Sequence, residues 1–158
     1  MGKLQFGVNK TLKLQNVLTG EIDLENQDID FTIMVERMQS YIKVKGAVQI
    51  GPLIQHTRTF VNEDGELDMK IILMLQCNHF INSVEKPYSM ESILRVTDCM
   101  YCRYIGLEEK LKIAYDKIGV EAFEKDIELS EESYTVFVNS NEEEGTITAD
   151  IFIPKNNS

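Results

Sequence analysis

Few residues in this chain have the type and spacing to do chemistry. Asp150 stands two residues before Phe152 in Thr148-Ala149-Asp150-Ile151-Phe152-Ile153, and the alternation reads as a strand that points carboxylate and ring to the same side. On a concave surface such a pair attracts a lipophilic cation through Coulomb attraction and cation–π contact, the latter worth roughly 0.5–2 kcal/mol. Three readings of Asp150 stand open on the residues alone. It anchors such a ligand, it pairs internally with Lys70, which alignment of the two halves of the chain sets opposite it, or it is merely exposed.

Other candidates carry less. Cys99 and Cys102 form a Cys-x-x-Cys, but they sit in a strand-like run where positions three apart face opposite ways, and no second cysteine pair or nearby histidine completes a metal site. His56 neighbours Arg58 on a strand, with no Ser or Cys nucleophile at motif spacing. No Gly-rich phosphate loop and no zinc-helix motif is present. The residues therefore predict no metal and no cofactor, and nothing in them compels an enzyme.

The elements that must position these residues come in two similar sets. Asp64-Gly65 and Glu144-Gly145 each separate two apolar alternating runs, Leu53 to Val61 from Leu67 to Leu73 and Ser133 to Asn139 from Thr146 to Ile153, which predicts a hairpin in each half. Before each hairpin lies a helical stripe. Phe31, Met34, Val35, Met38, Tyr41 and Ile42 form the first, with Asp28 or Asp30 to cap it and Gly46 to end it. Leu107, Leu111, Ala114, Tyr115, Ile118 and Phe123 form the second. A strand precedes each helix, Lys10 to Thr19 and Ile93 to Ile105. The fold class predicted is α+β: duplicated β-α-β-β units (about 1–77 and 91–155, joined by a loop over 78–90) forming one antiparallel sheet, with two helices on one face and a groove on the pseudo-twofold axis.

Composition narrows the function classes. The 158 residues suit a single domain, and 43% hydrophobic against 27% charged residues is a globular balance. No run reaches the ~20 apolar residues of a membrane helix and the start does not read as a signal peptide, so no membrane contact and a cytoplasmic location are expected. A net charge of -10 without a Lys/Arg cluster predicts no direct nucleic acid binding. Three cysteines in a chain expected to stay in a reducing compartment argue against a disulfide framework.

Tyr101-Cys102-Arg103-Tyr104-Ile105-Gly106-Leu107, then Ala114-Tyr115-Asp116-Lys117, Ser133-Tyr134-Thr135-Val136-Phe137-Val138 and Thr148-Ala149-Asp150-Ile151-Phe152-Ile153-Pro154 together resemble a GyrI-like domain, the effector-binding domain of many bacterial transcription regulators. With the first half included, the resemblance spans nearly the whole chain. It implies bacterial origin and a hydrophobic, often cationic small ligand held in the groove between the halves by a carboxylate on the last strand. That position is Asp150 here, where the family usually has Glu; Leu107 replaces a common proline, and the chain has no tryptophan. The ligand-binding set carried over is Asp150, Phe152, Tyr115, Tyr104, Met38, Tyr41 and Phe137. The leading expectation is a stand-alone small-molecule sensor or sequestering protein. The alternatives are an acidic protein-interaction module resembling gyrase inhibitors, and a hydrolase of strained-ring alkylating drugs using Asp150 with Tyr115 or Tyr104.

Overall fold

The computed structural model describes residues 3–25 and 30–156. Along the chain run β1 (Lys3–Ile22), α1 (Phe31–Val44), β2 (Ile54–Val61), β3 (Leu67–Gln76), β4 (Tyr88–Leu107), a short 3-10 turn (Glu108–Lys110), α2 (Lys112–Glu124), β5 (Glu132–Asn141) and β6 (Thr146–Pro154). The fold is α+β with antiparallel strands, in the predicted order. The chain forms two compact units: Lys13–Leu94, and Met1–Leu12 together with Arg95–Ser158. No described helix is long and apolar enough to cross a membrane.

In the first unit β1 and β2 flank β3, in the registers Thr19↔Met74 and Arg58↔Lys70. Leu73, Leu75 and Ile71 of β3 meet Met38 and Ile42 of α1, which together with Leu18 and Cys77 make a core from which water is excluded. The Asp30 carboxylate accepts hydrogen bonds from the amides of Thr32 and Ile33 at 2.9 and 3.4 Å and so caps α1; the alternative cap, Asp28, lies outside the described residues. At the other end Gly46 takes φ +80°, its amide donates to Lys43 O and that of Ala47 to Ile42 O, a Schellman closure that satisfies two terminal carbonyls.

The second unit repeats this order. β4 and β5 flank β6, with Arg103↔Asp150↔Val136 and Tyr101↔Phe152↔Tyr134 in line across the three strands. Its core lies between the sheet and α2, where Met100, Cys102, Tyr104, Ile147, Ala149 and Ile151 meet Ala114, Ile118 and Ala122. The helix stripe predicted from sequence is corrected here. Phe123 is 84% exposed and Leu107 ends β4, because the buried row is Ala114, Ile118, Ala122 at successive steps of four, and Phe123 is rotated about 140° away from Ile118. Both hairpins form as expected, with Gly65 at φ +78° and Gly145 at φ +67°. The segment from 78 to 87 is irregular as predicted, whereas Tyr88, Ser89 and Met90 already belong to β4.

Candidate functional site

β6 alternates as the sequence predicts: Ile147, Ala149 and Ile151 face α2, so Asp150 and Phe152 face away from it. On β4 the same alternation puts Met100, Cys102 and Tyr104 on the helix side and Tyr101 and Arg103 on the other. Register then does the rest, setting Arg103 directly beside Asp150 and Tyr101 beside Phe152. Arg103 donates from Nε to Asp150 Oδ1 at 2.7 Å and from Nη2 to Oδ2 at 2.9 Å, and the Tyr101 hydroxyl adds a third bond to Oδ1 at 2.9 Å. The Tyr101 and Phe152 rings lie 5.0 Å apart, tilted by 49°.

This pair is a forked, charge-assisted one, the stronger kind of hydrogen bond. The Asp150 side chain is 14% exposed and that of Arg103 36%, so water competes from the arginine side. The carboxylate beside it holds the guanidinium further above its ordinary value. Burial, then the hydrogen bond to Asp150, pushes Tyr101 up to about 12, so its phenol stays protonated and donates at neutral pH. The arrangement thus presents two aromatic rings beside a formally neutral ion pair. Asp150 is paired internally, but with Arg103 in place of Lys70. Lys70 lies in the other unit, with its ammonium 3.8 Å from Glu21 and over the Phe60 ring at 5.7 Å.

No protein-family model matches the sequence, and no curated protein matches it. Among solved structures, a chain of the EcmrR–DNA complex in EcmrR-RPo, determined by cryo-electron microscopy, matches with a TM-score of 0.70 at 14% identity, over 98% of this chain and 58% of that one. The chain shares its fold with the part of that chain it covers. It spans less than two thirds of the EcmrR chain. The structure of SAV2435 bound to tetraphenylphosphonium covers 98% of this chain and 94% of that one, at 7% identity and a TM-score of 0.48.

The remaining predicted ligand residues do not gather around Asp150. Tyr104 is 2% exposed on the α2 side, with its hydroxyl given to Leu107 O at 2.6 Å, a bond that ties down the end of β4. Tyr115 of α2 is hydrogen-bonded through its hydroxyl to that of Thr135 on β5, and burial raises its pKa. Both tyrosines are thus on the opposite sheet face from Asp150, and the Asp150–tyrosine pairing required by the hydrolase reading does not assemble with either. Phe137 pairs with Ala149, on the α2 side, just before a register shift. In the first unit Met38 is core, and the Tyr41 ring packs against that of Tyr88 with centroids 4.6 Å apart and planes tilted by 46°, while its hydroxyl hydrogen-bonds Glu85. Sequence reading missed Tyr101 and Arg103. Their signal was the same alternation on β4, usable only once the pairing of β4 with β6 is known.

The Cys-x-x-Cys is no redox pair in this fold. Cys99 and Cys102 are free and buried, and burial pushes both thiols up, Cys99 to about 11.

Proposed function

We propose that this chain is a GyrI-like small-molecule binding domain, a sensor or sequestering module whose ligand is hydrophobic and lies against Tyr101 and Phe152. The carrying observation is the pairing of those rings at 5.0 Å beside an Asp150 carboxylate that already accepts three hydrogen bonds from the protein. Aromatic side chains beside a few fixed polar groups are what small-ligand sites have in common. The neutral ion pair also revises the charge expected of the ligand. A cation that seeks Asp150 must displace Arg103 from a two-pronged bond, and so gains little over a neutral molecule of the same shape.

The test uses a neutral fluorescent aromatic probe, N-phenyl-1-naphthylamine, and a cationic aromatic of similar size. Phe152→Ala should weaken the neutral probe about 5- to 30-fold, the cost of an aromatic contact with its buried area, while wild type binds both probes within a few-fold of one another. Unchanged affinity in well-folded Phe152→Ala would reject this site. A strong preference of wild type for the cation, lost in Asp150→Asn, would restore the carboxylate as the anchor.

A further inference from the structure

On the α2 side of the second unit, where β4 leaves the sheet, the surface opens into a cleft of about 530 Å³ among Leu4, Tyr104, Leu107, Ile113, Thr146 and Lys110. The volume falls in the range of about 300–1,000 Å³ usual for small-ligand sites. Leu4, Leu107 and Ile113 stay 38%, 39% and 48% exposed, so the cleft holds aliphatic surface that a ligand would cover. Lys110 is the one charged side chain on its wall and makes no ion pair with the described residues.

Leu107 also lines a second hollow of about 560 Å³, whose other walls are Glu108, Glu109, Glu144 and Gly145. Leu107 is thus common to both spaces. In the cleft the Tyr104 phenol is raised above its ordinary value first by burial and then by the charge of Glu109. An apolar cleft with one ammonium, adjoining a hollow with three carboxylates, complements neither a simple anion nor a simple cation. It complements a molecule with an apolar body and both charges at one end.

We propose that this corner binds a free hydrophobic α-amino acid, with its side chain in the cleft, its α-carboxylate on Lys110 and its α-ammonium toward Glu108, Glu109 and Glu144. Such a ligand is neutral overall, so the net charge of -10 does not oppose its approach.

Calorimetric titration of the full chain with phenylalanine, phenethylamine and N-acetylphenylalanine tests the assignment, since the second lacks the carboxylate and the third the ammonium. Phenylalanine should bind at least about tenfold more tightly than either, the scale of one charge-assisted hydrogen bond. Lys110→Met should bring phenylalanine down to the affinity of phenethylamine, and Ile113→Asp should abolish binding of both. Both positions are exposed, so the fold persists in these variants. Phenethylamine or N-acetylphenylalanine binding as tightly as phenylalanine would overturn the proposal, as would no detectable binding of phenylalanine at millimolar concentration. Phe152→Ala should leave phenylalanine binding untouched; a loss there would move the amino acid to the opposite sheet face and reject this cleft.

Discussion

Asp150 and Arg103 are coupled closely enough that neither can be altered alone without consequence. With Asp150→Asn the guanidinium loses its counter-charge but keeps some water, so the cost should be roughly 1–2 kcal/mol, below that of breaking a fully buried pair. Arg103→Met leaves the better-buried carboxylate with Tyr101 as its remaining partner, and should cost at least as much. The double variant Asp150→Asn/Arg103→Met should be more stable than the sum of the two losses predicts, by about 0.5–3 kcal/mol of coupling. Urea unfolding of the four proteins reads this directly, and additive losses would mean that the pair carries no mutual energy. At this scale the sequence disclosed the direction of each side chain but not its neighbour. Alternation put Asp150 with Phe152. Alignment of the halves suggested Lys70, but a matching place in two halves is not adjacency, and the partner came from the Arg103↔Asp150 register between strands about fifty residues apart.

Helix ends show what is legible in an element and what is not. Gly46 announced the end of α1, since glycine takes a positive φ without cost. The end of α2 closes in the same way, with the Asp126 amide on Phe123 O and that of Ile127 on Ala122 O at 2.8 Å, but the left-handed position, φ +54°, is held by an aspartate. Nothing in the local sequence marks an aspartate as left-handed. The same is true of Asn9 and Asn16 within β1 and Asp98 within β4, where positive φ interrupts two strands that the sequence shows only in part. Asp126→Gly should therefore stabilise the protein by roughly 0.5–1 kcal/mol, the relief of a left-handed non-glycine residue less the extra freedom of glycine in the unfolded chain. Gly46→Ala should destabilise it by a similar amount. Shifts of the urea midpoint check both, and a loss on Asp126→Gly would show that the aspartate side chain has a role that its backbone conformation does not reveal.

For the whole molecule, position along the chain does not tell which unit a long strand serves. Of the described residues, those from Lys3 to Leu12 belong with the unit that contains Arg95 and the residues after it, and the contacts that hold them there are specific. The Phe6 ring lies beneath the ammonium groups of Lys117 and Lys125 at 5.8 and 5.6 Å, and both lysines pair with Glu121, which they draw down to about 2. Phe6 also packs against the core that contains Cys102. The cysteines make each unit report on itself, because Cys77 is buried in the first core while Cys99 and Cys102 are buried in the second unit. Phe6→Ala removes the ring that the lysines cover and loosens the edge of the second core. In mild urea, thiol labelling followed by mass spectrometry should then show Cys99 and Cys102 modified several-fold faster than in wild type, with Cys77 unchanged, as expected of units that open separately. A matching rise at Cys77 would mean that the two units open as one cooperative body. No change at any cysteine would mean that the start of β1 contributes nothing to the unit it contacts, and the stability of that unit would then have to come from α2 and the β4–β6–β5 sheet alone.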